Sequence, residues 1–297
     1  MKYTDKTAFE NVNIFGTGMP NDLFSKYFTG KSFLNPLTKP GECPVFMANV
    51  TFEPGCRNNW HIHHARSGGG QMLLCIAGEG WYQQEGDKPL SLSEGSFVYI
   101  PAGVKHWHGA KATSWFSHIS LEIPGEEGRN EWLEAVSDDQ YNALPVKESK
   151  STFEYRDKYL TKNEFKKGNM FGMGMYNFMF RKYFSGRSYL KMVTMPGKTP
   201  LFLSNVNFEP TCRNNWHVHH DGGQILVCTA GTGWYQEDGK SAKSLKAGDV
   251  VYIPTDVNHW HGASRDSWFS HVAISIPANG GKVEWLKPVS DNDYNKL

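Results

Sequence analysis

Histidine at alternate positions is the first chemistry this chain offers. Trp60-His61-Ile62-His63 is written a second time as Trp216-His217-Val218-His219. On an extended strand, residues two apart point to the same face. Each His-x-His pair therefore aims two imidazoles at one point. A Gln follows each pair (Gln71, Gln224), and then a His-Trp-His-Gly run (106–109 and 259–262). All 12 His of the chain fall in these two copies at matching places. Packing alone does not ask for imidazole so repeatedly, whereas neutral imidazole is the commonest nitrogen ligand of protein-bound metals. The pattern predicts two metal sites in two copies of one small domain.

The duplication extends well beyond these motifs. Arg57-Asn58-Asn59 recurs as Arg213-Asn214-Asn215, and Ser114-Trp115-Phe116-Ser117-His118 as Ser267-Trp268-Phe269-Ser270-His271. Further out, Lys26-Tyr27-Phe28 matches Lys182-Tyr183-Phe184, and Val136-Ser137-Asp138 matches Val289-Ser290-Asp291. The first copy carries extra residues within 64–70, where Gly68-Gly69-Gly70 reads as a loop. The expected domains are 1–144 and 163–297, joined by a charged linker at 145–162.

Composition excludes several functions. The 297 residues suffice for two ordinary domains, each with its own core. A net charge of +1 gives no electrostatic drive toward nucleic acid or an anionic membrane. No apolar run is long enough to cross a bilayer, and Met1-Lys2-Tyr3-Thr4-Asp5 does not open a signal peptide, so a cytoplasmic location is expected. Of the five Cys, Cys56 and Cys75 have counterparts in Cys212 and Cys228, and Cys43 has none. No close-spaced pair points to zinc or redox chemistry, and buried free thiols are expected.

The elements that must position the His are strands. Phe46, Ala48, Val50 and Phe52 alternate with other residues, the period of a half-buried strand. Apolar strands are also expected over 71–76, 96–100 and 115–123, with turns at Glu53-Pro54-Gly55 and near Glu85-Gly86-Asp87. Leu23, Phe24, Tyr27 and Phe28 form a short amphipathic helical piece. Glu131-Trp132-Leu133 and 138–144 read as helical, the latter capped by Ser137 or Asp138. Many short strands with frequent Gly and Pro turns predict an all-β antiparallel barrel or jelly roll.

The motifs resemble those of the cupin superfamily. Its first motif, a Gly before His-x-His, then Glu or sometimes Gln, then a closing Gly, appears as Gly55, His61, His63, Gln71 and Gly78. Its second, Gly, Pro-x-Gly and His, appears as Gly95, Pro101, Gly103 and His106. The second copy gives His217, His219, Gln224 and Gly231, then Gly248, Pro254 and His259. It departs at Thr211 and Asp256, which stand where the motifs have Gly. The Asn that often ends the second motif is absent from both copies, and the 63–71 gap is longer than usual. The resemblance implies two tandem jelly-roll barrels with short flanking helices. It implies one divalent metal on His61, His63, Gln71 and His106 and another on His217, His219, Gln224 and His259. These neutral ligands leave the ion's charge uncompensated. Mn²⁺ or Fe²⁺ suits such a set, with Ni²⁺, Co²⁺ and Zn²⁺ open as alternatives. Two barrels in one chain can mimic a cupin dimer, so a monomer or a homo-oligomer is expected.

The Trp-His-Gly-Ala and Trp-Phe-Ser-His runs also resemble small manganese-dependent cupins with hydroxynitrile lyase activity, whose relatives occur near carboxymuconolactone decarboxylase-like proteins. That resemblance makes His108, His118, His261 and His271 candidate acids and bases, because imidazole begins near working pH. Their other reading is as partners that hold the ligands. Trp60, Trp107, Trp216 and Trp260 read as barrel packing, Arg57 and Arg213 as structural ion pairs, and the Asn pairs as turn supports. His64 and His220 should point away from the metal. The expected function is a metal-dependent enzyme acting on a small oxygenated molecule by Lewis-acid and His acid–base chemistry. The alternatives are an O₂-dependent two-cupin dioxygenase and a non-catalytic metal-dependent binding or sensor protein.

Overall fold

The computed structural model describes residues 3–145, 153–195, 197–220, 222–276 and 282–297. The chain divides into two compact units, Met1–Thr152 and Phe153–Leu297. Of the expected linker, 146–152 lies outside the described residues, and 153–162 belongs to the second unit. Tyr159 there is fully buried in a cluster with Phe165 and Trp268. It repeats the opening of the first unit, where Tyr3 meets Phe9 edge-on and Phe9 stacks on Trp115 at 5.6 Å. The segment is thus the start of the second copy. It is marked by a few aromatic anchors (Tyr3 and Tyr159, Phe9 and Phe165) among otherwise dissimilar residues.

In the first unit, one sheet runs in the order Met19–Pro20, Ser32–Pro36, Phe46–Phe52, Phe116–Glu122, Gln71–Gly78, Phe97–Ile100. The other holds Leu90–Leu92, Gly80–Gln84, His106–Ala110, Arg57–Asn58 and Phe28–Thr29, with His61–His64 paired to both His106–Ala110 and Arg129–Trp132. All of these pairings are antiparallel. In the second unit, a single strand, Gln224–Glu237, runs through both halves of the corresponding sheet.

Alternation explains the interior. Val50, Phe52, Leu73, Cys75, Val98, Ile100 and Phe116 form the core of the first barrel, matched by Val206, Phe208, Leu226, Cys228, Val251, Ile253 and Phe269 in the second. Yet the strands are buried on their outer faces too, because the opening segment packs there. Asn13 accepts from Asn49 Nδ2 at 2.8 Å and from Ser117 Oγ at 3.1 Å. Buried amides are tolerated when they satisfy one another in this way. All five Cys are free, and four are buried.

One expected helix is a strand. Arg129–Trp132 pairs with His61–His64, placing Trp132 opposite His61 and Asn130 opposite His63. Glu-Trp-Leu carries no period that separates the two states over so few residues, and the register with the His strand decides it. The second expected helix is present as Asp138–Asn142, with Ser137 and Gln140 forming a capping box. Above it, Arg57 is buried: it donates to the Val136 carbonyl, pairs with Asp138 and lies 4.4 Å from the Tyr141 ring centroid. Arg213 repeats the arrangement with Asp291 and Tyr294.

Two turns differ between the copies in a testable way. Gly55 and Gly103 have φ of +82°, while Thr211 and Asp256, at the same motif positions, have φ of +72° and +62°. A left-handed conformation costs an L-residue roughly 1–2 kcal/mol. No atom lies within 4 Å of a Cβ built on Gly55, so the cost there is backbone strain alone. Thr211→Gly should raise the second unit's unfolding free energy by about 1 kcal/mol. Gly55→Thr should lower the first unit's by a similar amount. Urea unfolding at constant m-value measures both, and no shift in either midpoint would contradict the strain argument.

Candidate metal centre

His61 and His63 share one face of their strand, and His106 lies directly across from His61 in the neighbouring strand. The His61 and His106 ring centroids are 4.1 Å apart, and His63 lies 5.2 Å from His61 and 5.5 Å from His106. Backbone carbonyls set the tautomers. His61 Nδ1 donates to the Asn59 carbonyl and His106 Nδ1 to the Val104 carbonyl, both at 3.0 Å. Each ring therefore keeps its Nε2 lone pair free for the interior. In the second unit, His217 Nδ1 donates to Asn215 at 3.0 Å and His259 Nδ1 to Val257 at 2.8 Å, with the same consequence.

The Gln residues complete the cage. Gln71 Nε2 donates to Ser120 Oγ at 2.9 Å and to Glu122 Oε1 at 3.2 Å, leaving Oε1 inward. Among the described residues, His63 Nε2, His106 Nε2, Gln71 Oε1, His219 Nε2, His259 Nε2 and Gln224 Oε1 are buried without a hydrogen-bond partner. An unsatisfied buried acceptor costs about 1–3 kcal/mol. Buried lone-pair donors beside a close His group suit a cation. The residues present therefore fit a divalent ion, and a His group in each unit could hold one: His61, His106 and His108 in the first, His217, His219 and His259 in the second. Burial, reinforced by the other imidazoles, holds His61 and His217 well below the usual imidazole range. Burial likewise lowers His106, His219 and His259 to about 4. All five are neutral at pH 7, as a metal ligand must be.

His108 belongs to a different network. Asn58 Oδ1 accepts from the His108 backbone N–H at 2.9 Å, which orients the amide and puts Nδ2 3.1 Å from His108 Nε2. An amide N–H there needs an acceptor, so His108 Nε2 holds a lone pair for Asn58 and Nδ1 carries the proton. That proton faces His118 Nε2 at 3.1 Å. The engaged lone pair makes His108 a weaker candidate ligand than His63, although its ring lies within the tight His group. His118 is fully buried against Phe52 and Phe116, with burial lowering it to about 3. Alternation from Phe116 turns it inward, and the register shift beside it falls in the neighbouring strand, where Ile76 is the extra residue. Asn214, His261 and His271 repeat this chain at the same distances.

A cavity of about 220 Å³ opens on the first cage. Phe24, Phe28, Leu34, Phe46, Val50 and Trp132 give it an apolar wall, and His61, His63, Gln71, His108, Glu122 and Asn130 its polar groups. His118 is not among the lining residues and reaches the cavity through His108. Sequence reasoning missed Trp132, which stacks on His61 at 4.8 Å and is itself stacked by Tyr27 at 4.6 Å. Trp285 does the same for His217. The repeated Glu-Trp-Leu was the available signal. Glu122 was missed as well: its Oε2 lies 3.1 Å from His63 Nδ1. Burial opposes its charge, but His63, Gln71 and Ser120 outweigh that and hold the carboxyl below its ordinary range. Asn58 and Asn214 hold His108 and His261 as well as sitting beside a turn.

The other singled-out residues lie off the cage. Trp60 and Trp107 pack with Trp81, Val136 and Tyr141. His64 faces Glu131, and His220 faces Asp256 and Glu284. Burial pushes the Cys56 thiol up to about 12, which suits a core residue.

Comparison with known proteins places the chain. The cupin domain family matches residues 48–117 and again 204–270. An (R)-mandelonitrile lyase from Granulicella tundricola is 39% identical over 116 residues, which are 39% of this chain and 86% of that protein. The chain belongs to the cupin family. As a two-domain cupin it is similar in fold to a salicylate 1,2-dioxygenase from Pseudaminobacter salicylatoxidans, with TM-score 0.59 at 14% identity over 85% of this chain and 80% of the other. It is also similar to a vicilin from Solanum melongena, with TM-score 0.54 at 13% identity over 94% and 86%. At such identities the likeness concerns architecture and not chemistry. No helix among the described residues is long and apolar enough to cross a membrane.

The neutral His set gives a pH prediction. Unfolded imidazoles titrate near 6.5, whereas His106, His219 and His259 are lowered by burial to about 4. Between those values the unfolded chain binds more protons. The metal-free bicupin should therefore be fully stable above about pH 6.5 and lose stability as pH falls toward about 4. His106→Gln with His259→Gln should flatten that slope in urea unfolding. An unchanged slope would contradict the burial argument.

Proposed function

We propose that this bicupin is a divalent-metal lyase that cleaves or forms a bond next to an oxygen of a small molecule bearing an apolar group. The carrying observation is the close His group in each unit, beside buried imidazole and amide acceptors that have no hydrogen-bond partner. His61, His63, Gln71 and His106 would hold one ion, and His217, His219, Gln224 and His259 the other. Such an ion would supply Lewis acidity toward a hydroxyl or carbonyl oxygen, undiminished by any charged ligand in the quartet.

The chain's own residues supply the rest. The aromatic wall binds the apolar part of the substrate and excludes water. Trp132 and the Asn59 carbonyl fix the plane and tautomer of His61, as Trp285 and Asn215 do for His217. His108 reaches the cavity and is the proton carrier of this reading, taking a proton at Nε2 when the Asn58 amide gives way, with His118 behind it; His261 and His271 take the same parts in the second unit. For a cyanohydrin, the hydroxyl proton passes to imidazole and the carbon–carbon bond breaks. Cyanide leaves with the electron pair and takes up the proton. Burial disfavours a charged His108, so the imidazole holds the proton only briefly and returns it readily. The relative named as a mandelonitrile lyase supports mandelonitrile as the first substrate to try. Manganese is the first metal to try, on the resemblance and on the suitability of an N/O donor set with open positions.

Manganese-loaded protein should release benzaldehyde and cyanide from mandelonitrile at the same rate with and without oxygen. His106→Ala with His259→Ala should lose at least 100-fold. His108→Phe with His261→Phe should lower kcat by about 10²–10⁴-fold while metal content stays unchanged. Turnover that requires oxygen would replace the lyase by an oxygenase. Tight ligand binding without turnover of a wider substrate panel would replace it by a binding protein.

A further inference from the structure

The two cages are not copies of each other on one side. The first strand that closes its barrel ends Ser120-Leu121-Glu122, and the second ends Ala273-Ile274-Ser275. The registers are the same. Glu122 lies opposite Gln71 and Phe46, and Ser275 opposite Gln224 and Phe202. Asn130, opposite His63, is likewise answered by Val283, opposite His219. The aromatic positions Phe24, Phe28, Phe46 and Trp132 are answered by identical residues. Ala48 and Ser120 are answered by Ser204 and Ala273, which exchanges one hydroxyl between neighbouring strands, whereas nothing at those positions replaces the carboxylate of Glu122.

Glu122 touches two of the four candidate ligands of the first cage. Its Oε2 faces His63 Nδ1 at 3.1 Å, and its Oε1 accepts from Gln71 Nε2 at 3.2 Å. Ser120 Oγ accepts from the same amide at 2.9 Å. A carboxylate behind a metal-bound imidazole fixes the ring and strengthens its donor nitrogen. Loss of such a partner typically costs about 10–100-fold in metal affinity. A carboxylate accepting from the Gln amide polarises the carbonyl oxygen in the same sense. Ser275 carries no charge, and Ala273 offers no hydroxyl to Gln224.

We infer that Glu122 makes the two metal centres non-equivalent, the first binding a divalent ion more tightly than the second. The inference rests on the metal reading proposed above. One centre keeps its ion at low metal supply, and the other is filled only when metal is plentiful.

Calorimetry of the metal-stripped full chain with Mn²⁺, with free Mn²⁺ followed by electron paramagnetic resonance, tests it. Wild-type protein should show two classes of site separated by about 10–100-fold. His259→Gln should retain the tight class, and His106→Gln should remove it. Glu122→Gln, nearly isosteric, should weaken the tight class into the range of the other, with a cooperative thermal transition retained. Ser275→Glu should tighten the weak class, which guards against a Glu122 variant that merely misfolds. Two equal sites in the wild type, or a tight class indifferent to Glu122→Gln, would overturn the inference and leave the metal reading standing. No Mn²⁺ binding at either site would overturn the metal reading itself.

Discussion

The structure depends on neutral imidazoles being held, inside an apolar barrel, with their lone pairs pointing at one another. Left empty, that arrangement is unfavourable: buried acceptors go without donors, and protonation is blocked by burial. The fold maintains it because two Nδ1 atoms in each unit are tied to backbone carbonyls, His61 to Asn59 and His106 to Val104 in the first, His217 to Asn215 and His259 to Val257 in the second. Those carbonyls belong to the sheets that the core packing secures. Trp132 and Trp285 then close over the rings. The strands Phe46–Phe52 and Phe116–Glu122 are covered on both faces, one by the barrel interior and one by the opening segment of the same unit.

Much of this is legible in the sequence, and the boundary is instructive. A period of two makes the shared face of His61 and His63 a matter of local geometry, and duplication makes it credible. Gln71 and His106 are nearby in the same repeat and follow a recognisable motif. Trp132 reads as helical in the sequence because its neighbours give no period and a capped helix follows closely. Its strand state comes from pairing with a His strand far away in sequence. Glu122 ends an apolar strand and looks like a solvated terminus. Its contact with His63 exists only through the register between strands that the sequence does not specify. The charged stretch before Lys162 reads as a linker because one aromatic anchor, Tyr159, among many dissimilar residues is weak evidence of repetition.

The two layers of histidine answer different physical demands. The inner rings expose nitrogen to the centre and are fixed by carbonyls. The outer rings, His108 and His118 with His261 and His271, are joined to one another and to an Asn whose orientation is set by a backbone N–H. An imidazole chain of this kind can hold or pass a proton, and its outer rings also pack beside the inner ones, with His108 5.5 Å from His61. Both roles follow from the same contacts, and cupin architecture alone does not choose between them, since at low identity the fold is shared by proteins with differently named functions.

The most direct test of the central idea is X-ray absorption at the metal edge, combined with metal analysis, on protein purified without chelator. Close to two divalent ions per chain after manganese supplementation, with imidazole back-scattering that weakens in His106→Gln and His259→Gln, is the predicted result. Fewer than about half an ion per chain after manganese supplementation, or an oxygen-only coordination sphere unaffected by those substitutions, would contradict it.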